Sequence, residues 1–372
     1  MQVAGYEVDV ARSVQRTVTT RSAWSALIVS TLFASGMATS ATAELAHPAP
    51  QRRKPSRAAK TPWTNQECSR CHAEIASEWQ GSRHRASYEN AEFLRSVDRE
   101  KPEARGFCVG CHAPEIRGNT VSTAARAAGV GCVTCHVPEG SILAAARSDA
   151  PSPERAPHTL TRSAAFASPA ACASCHEFRF FDARHGATDE NVQFMQRTLS
   201  EHRDGSLEVT ACASCHMPRI GAGEGRHRAH SFPGGHSAAF VRNALSVRAE
   251  RRTPTSVTLT LTPQNVTHAV PTGDLFRRLA LTARATARDG SDLVAERFLA
   301  RHHERRDRGQ RLEVRDDRPH LMPRVVTLEL GPSAADRPIE YSVVYQRVDH
   351  LVGDDERKAV VAGEIVIDQG AR

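Results

Sequence analysis

The cysteines constrain this chain more than any other feature. All ten fall into five copies of one pattern: Cys68-Ser-Arg-Cys71-His72, Cys108-Val-Gly-Cys111-His112, Cys132-Val-Thr-Cys135-His136, Cys172-Ala-Ser-Cys175-His176 and Cys212-Ala-Ser-Cys215-His216. Cys-x-x-Cys-His is the attachment signature of c-type haem. The chemistry dictates the spacing. Two thiols add to the two vinyl groups of one porphyrin, and the adjacent histidine gives its neutral imidazole to the iron. Other uses of paired cysteines fit less well. Zinc ribbons take two pairs per metal and do not call for a histidine after every second cysteine. Thioredoxin-like redox pairs occur singly in a βαβ pattern, and a disulfide framework has no use for the repeated histidine. The sequence therefore predicts five covalently bound haems c.

The N-terminus reads as an export signal. Arg12, Arg16 and Arg21 flank an apolar run from Ala23 to Met37, and Ala41-Thr42-Ala43 fits a small-x-small cleavage site. The run is short for a membrane span and is broken by Ser25, Ser30, Thr31 and Ser35, so cleavage after residue 43 is expected, with no transmembrane segment afterwards. Export agrees with haem attachment outside the cytoplasm and predicts a periplasmic or extracytoplasmic protein. Residues 44–62, rich in Ala, Pro, Arg and Lys, read as a flexible linker.

The formal charge of +7 invites a nucleic-acid reading, which the cofactor removes. Each ferric bis-His haem carries roughly one net negative charge through its propionates, so five bring the holoprotein close to neutral. Only Lys54, Lys60, Lys101 and Lys358 are lysines; the remaining basic charge is arginine, which suits bidentate pairing with carboxylates. Aromatics make up only 5% of the chain, and porphyrin rings would supply the missing apolar interior.

The expected fold class is α+β: a mainly helical and irregular multihaem domain at 63–244, then a C-terminal antiparallel β-sandwich at 245–372. Ile75 to His84 reads as a helix with Trp79 and His84 on nearby faces, and Asn191 to His202 as another. The short spacing between the second and third motifs predicts two haems held close together. After about residue 245 the period becomes two. Val257, Leu259 and Leu261 alternate with threonines, Leu279 to Ala285 alternate likewise before the turn Arg288-Asp289-Gly290-Ser291, and Val325–Leu330, Ile339–Val344 and Val360–Ile367 add strands.

Each haem iron accepts one more ligand, and thirteen of the 18 histidines lie outside the motifs. Context selects His84 beside the first motif, His158 in a Pro-rich loop, His230 and His236 around Ser231-Phe232-Pro233-Gly234-Gly235, and His268 before Pro271-Thr272-Gly273. His185, His202 and His227 are reserves. His302, His303, His320 and His350 read as solvated surface.

At these residues the chain resembles the multihaem cytochromes c grouped with the tetrahaem cytochrome c-554 and, more distantly, hydroxylamine oxidoreductase. The matching stretches are Trp79-x-x-Ser82-x-His84, Gly129-Val130-x-Cys132-x-x-Cys135-His136 with His158 behind it, Met195-Gln196-x-Thr198-x-x-Glu201, Cys215-His216-Met217-Pro218, His230-x-Phe232-Pro233-Gly234 and His268-x-x-Pro271-Thr272-Gly273. The resemblance implies bis-His haems in stacked pairs, periplasmic electron transfer, and His84, His158, His230 or His236, and His268 as distal ligands. The chain departs from the tetrahaem relative in having five motifs and a β-domain, and in Val137 after the third motif. It has no Cys-x-x-Cys-Lys motif, and Tyr88 is the sole tyrosine of the haem region, so neither a lysine-ligated nor a tyrosine-linked catalytic haem is supported.

An electron carrier is thus the first expectation, with redox-protein partners such as a membrane quinol oxidoreductase or a terminal reductase and no nucleic acid. The rival is an oxidoreductase acting on a small nitrogen or sulfur compound at one five-coordinate haem.

Overall fold

The structure, a computed structural model, describes residues 64–115, 122–138, 140–146, 158–181, 193–205, 210–223, 226–305, 311–352 and 355–372. The expected signal peptide and linker, and His185, lie outside these residues. Among the described residues, no helix is long and apolar enough to cross a membrane, which says nothing of strands.

The first half is built from short helices whose ends are written locally. Thr64 opens α1 (Asn65–Cys71) with a capping box: its hydroxyl accepts from the Glu67 amide, and the Glu67 carboxylate accepts from the Thr64 amide. After α2 (Ala73–Gln80), Asn90 caps α3 (Ala91–Arg99) by accepting from the amides of Glu92 and Phe93, which turns Phe93 and Val97 inward. Pro102 occupies the first turn of α4 (Pro102–His112), where its missing N–H costs nothing. Next come α5 (Thr123–Ala128), α6 (Cys132–His136), α7 (Ala170–His176), α8 (Thr198–Gly205), α9 (Cys212–His216) and α10 (Ala238–Asn243). Three two-stranded ribbons stitch them together. The parallel pair is β1 (Ile142–Ala145) with β2 (Leu160–Ser163). The antiparallel pairs are β3 (Glu177–Arg179) with β4 (Phe194–Arg197), and β5 (Arg219–Ile220) with β6 (His227–Arg228).

Two local expectations change. Within the helix read over Asn191 to His202, the described residues Phe194–Arg197 form a strand and the helix begins only at Thr198. The backbone of β4 pairs with β3, and the carbonyls of Phe194 and Met195 accept from the Arg301 guanidinium. The helix bearing Trp79 ends at Gly81, so His84 stands on a run of turns beyond it.

From residue 245 the chain is strands. One antiparallel sheet has the order β10-β9-β14-β15 and another β13-β8-β7. Here β7 is Leu245–Thr253, β8 Ser256–Pro263, β9 Arg277–Thr286, β10 Asp292–Leu299, β13 Arg324–Glu329, β14 Glu340–Val352 and β15 Asp355–Ala371; β11 (Arg301–Arg305) and β12 (Arg311–Asp316) form a separate hairpin. Leu245, Val257, Leu259 and Leu261 from one sheet share an apolar core with Leu279, Leu281, Val343 and Ile365 from the other. The period-two alternation produces this directly, because every second side chain faces the same way. The helical half and the strands belong to one compact unit. Arg95 and Arg99 of α3 reach Asp349 of β14 at 3.4 and 3.3 Å, and Arg301 of β11 holds β4.

Candidate functional site: a histidine-lined cavity

The five motifs sit at five helices: α1, the C-terminal end of α4, α6, α7 and α9. Positions i, i+3 and i+4 share one face of a helical turn. Each turn therefore aims two thiols and one imidazole to the same side, the arrangement that thioether attachment to one porphyrin requires. All ten cysteines line a single cavity of about 3690 Å³, several times the ~300–1,000 Å³ of a site for one small ligand. None of the ten is in a disulfide. The five motif histidines line the same cavity, and so do His84, His158, His230, His236 and His268. The five motif histidines and the five first-choice candidate ligands read from the sequence are thus brought to one place.

Within the cavity the histidines come in facing pairs. Ring centres are 6.4 Å apart for His72 and His158, 6.3 Å for His136 and His230, 6.2 Å for His176 and His84, and 6.3 Å for His216 and His268. Metal–imidazole bonds of about 2.0 Å, plus a little over an ångström from each nitrogen to its ring centre, put two axial rings roughly 6.3 Å apart. The spacing fits an iron between the rings and is too wide for direct stacking. The outer nitrogens are engaged as such ligation needs. Nδ1 of His136 donates to the Leu143 carbonyl at 3.0 Å, that of His216 to Pro233 at 2.7 Å, that of His230 to Arg228 at 2.7 Å and that of His268 to Ala269 at 3.0 Å. Such bonds fix the tautomer that leaves Nε2 free for metal. Burial also favours the neutral ring: it lowers His84 and His268 to about 4 and depresses His136, His176 and His230. The residues present fit the group.

His112 differs. Its Nδ1 donates to the Ser87 carbonyl at 2.8 Å, and its ring lies flat on Phe93, with centres 3.8 Å apart and planes at 8°. Among the described residues, no histidine ring stands opposite it at the spacing of the other four. His236, which the sequence offered beside His230, lines the cavity without such a partner. Desolvation and the nearby guanidiniums of Arg347, Arg83 and Arg277 drive it down to about 3.

Contacts between motifs set the neighbours. Asn65 donates to Glu115 at 2.9 Å and accepts from the Val133 amide, and Glu115 also accepts from Thr134. The helix of the first motif is thus tied to the third, and Glu115, three residues past His112, ties the stretch after the second motif to both. The Gly129-Val130-Gly131 stretch serves this packing. Gly129 has φ +55, and a Cβ there would lie 2.5 Å from the His84 carbonyl; a Cβ on Gly131 would lie 2.3 Å from the Asn65 amide. Val130 between them donates to the His84 carbonyl and accepts from the Trp79 indole, both at 2.9 Å.

The remaining histidines have other partners. His202 is buried between Thr267 and the Thr210 carbonyl, and His227 bonds Glu78, whose other oxygen accepts from the His230 amide. His302 and His303 are not solvated surface. His302 is buried between Asp317 and Glu356 at 2.9 and 2.6 Å, and the His303 side chain is only 3% exposed. Desolvation opposes charge on His302, but its two carboxylate partners prevail and raise it to about 9. His320 donates to the Glu201 carbonyl, and His350 stays half-exposed beside Asp349. The sequence also gave no role to Phe232, whose ring packs 4.2 Å from His84 and 5.7 Å from His230.

A family model described as cytochrome c554 and c-prime matches residues 67–137. Among curated proteins, none matches the chain in sequence. Among solved structures, a penta-heme cytochrome c552 from Thermochromatium tepidum is similar, with a TM-score of 0.62 and 18% identity over 83% of this chain and 98% of that one. At that identity the likeness shows a shared fold, with helices first and strands in the C-terminal part. Together with the five attachment motifs, the two likenesses support a multihaem c-type cytochrome.

Proposed function

We propose that the protein is a periplasmic pentahaem cytochrome that passes electrons along closely packed haems, four of them bis-His. The observation that carries this reading is the set of four histidine pairs, each 6.2–6.4 Å between ring centres. On this reading His72 and His158 hold the first haem, His136 and His230 the third, His176 and His84 the fourth, and His216 and His268 the fifth, with the ten cysteines as thioethers. Bound haem supplies reversible one-electron iron chemistry. The chain orients the imidazoles, keeps them neutral and surrounds the rings with apolar wall. Contacts that join the first three motif regions favour short hops over long ones. The signal at 1–43 would be cleaved, residues 44–62 would tether, 63–244 would carry the haems, and the strands of 245–372 would form a β-sandwich that supplies His268. Redox-protein partners, whether a membrane quinol oxidoreductase or a terminal reductase, follow from this reading.

The test is the intact mass of the mature protein from a host that matures cytochromes. It should exceed the polypeptide from Glu44 onward by five haems. Fewer haems, or alkylatable thiols in the folded product, would defeat the reading.

His112 supports a second reading. With no histidine opposite it among the described residues, its haem would keep one open position. That position suits a small nitrogen or sulfur compound, and the chain would then be an oxidoreductase at this one iron.

A further inference from the structure

Six charged side chains of alternating sign join α8, β4 and the hairpin β11–β12, and four of them, Glu201, Arg318, Asp316 and Arg197, close a ring through an Arg197–Glu201 contact of 3.4 Å. Glu201 meets Arg318 at 2.5 Å, Arg318 meets Asp316 at 2.7 Å, Asp316 meets Arg197 at 2.5 Å, Arg197 meets Glu313 at 3.1 Å and Glu313 meets Arg301 at 2.7 Å. Arg301 is 3% exposed, Arg318 and Glu201 are 3% and 5% exposed, and Arg197 and Asp316 between them are 31% and 24% exposed. The Glu201–Arg318 pair faces the turn that follows His268. The second Glu201 oxygen accepts from the Thr272 hydroxyl at 2.6 Å, and a second Arg318 nitrogen donates to the Pro271 carbonyl at 2.6 Å. The Val270 amide donates to the Pro319 carbonyl at 2.9 Å, and Thr198 of α8 touches Thr272 at 3.1 Å. Three consecutive residues of the turn, 270 to 272, are therefore held by groups whose own positions are fixed.

Burying this pair is a poor route to stability alone, because desolvation offsets most of the Coulomb gain and an apolar pair would do as well. What the ions add is direction. A planar guanidinium and a carboxylate accept partners only along set lines, so the turn has one permitted place. Neither Glu201 nor Arg318 hydrogen-bonds His268; their reach ends at Thr272 and Pro271.

We propose that Glu201 and Arg318 are positioning residues for His268, acting through Thr272 and Pro271 to hold its imidazole opposite His216. The proposal rests on His268 being the distal ligand of the fifth haem. Three holoprotein variants separate the two claims by low-temperature EPR and by a redox titration that resolves individual haems. His268→Ala should turn one low-spin ferric signal high-spin. Thr272→Val and Glu201→Gln should keep that haem low-spin but shift its g-values and its midpoint, and leave the other haems unmoved. Thr272→Ser, which keeps the hydroxyl, should restore the wild-type signal. If His268→Ala changes one haem while Thr272→Val and Glu201→Gln change nothing, the positioning claim falls and the ligand reading stands. If His268→Ala changes nothing, both fall. A disturbance of all haems together in Thr272→Val, or a serine variant as perturbed as the valine one, would mean the network serves the fold at large and would overturn the proposal.

Discussion

The asymmetry between His112 and the other four motif histidines leads to a quantitative spin count. Ligation by two imidazoles gives low-spin ferric iron, and a single imidazole with nothing opposite gives high-spin iron. Four facing pairs among the described residues, for five haems, therefore predict one fifth of the iron in the high-spin signal of the oxidised holoprotein. Two histidines per haem would give none. The perturbation is exogenous imidazole. On the proposed pairing it has a site at the His112 haem and none at the others, whose second positions would be filled by rings 6.2–6.4 Å from their motif partners. Titration should abolish the high-spin fifth and leave the four low-spin signals in place. His236→Ala is the decisive control, because His236 lines the same cavity. If wild-type protein is wholly low-spin and His236→Ala creates the high-spin fifth, then His236 closes on this iron and the argument from ring spacing is refuted. A high-spin share of two fifths or more would refute the pairings themselves.

Three further outcomes are expected. Arg318→Met removes the nearer of two cations from the buried Glu201 carboxylate and leaves Arg197 at 3.4 Å; that costs up to about 5 kcal/mol, a melting temperature lower by up to roughly 20 °C at ~2–4 °C per kcal/mol, and an unchanged melt in scanning calorimetry would refute it. His302 is raised from its ordinary 6.5 to about 9, so its charged partners stabilise the fold fully below pH 6.5 and lose that stabilisation as pH rises through about 9; the denaturant-midpoint gap between wild type and His302→Gln should close over that window, and a gap constant with pH would count against it. A Cβ on Gly205 would lie 1.8 Å from the Thr267 carbonyl, so Gly205→Ala should destabilise by about 1–3 kcal/mol or more and disturb the haem served by His268; a wild-type melt would contradict this.

The sequence is most legible where covalent chemistry sets the spacing. Five motifs name five helical turns, since Cys, Cys and His at i, i+3 and i+4 need one face. The proposed distal ligands His230 and His268 stand out by the rigid stretches beside them, Phe232-Pro233-Gly234 and Pro271-Thr272-Gly273, and His84 by its place on the Trp79 segment after the first motif. Their partners do not. Linear position put His84 with the first motif, yet its ring faces His176, because Val130 pins the His84 backbone to the loop that opens the third motif. The strands around Leu259 and Leu281 were legible from alternation. Those of β10 to β12 were hidden because their faces carry Arg297, Arg301, Glu313 and Arg315, charges that pair with one another or with Asp317 and mask the period. The same masking misread His302: nothing in Arg301-His302-His303-Glu304 hints that Asp317 and Glu356 close around it.

The facing histidines have a consequence for manufacture. His72 comes early in the chain and His158 only after two more motifs have passed, while His216 waits for His268 among the strands. On these pairings, a chain threaded outward from its N-terminus would leave the first iron half-capped until His158, the third until His230 and the fifth until His268 in its last third. On this reading the final strands do more than cover a core. They deliver the last cap, so a truncated product would be coloured, haem-loaded and magnetically wrong.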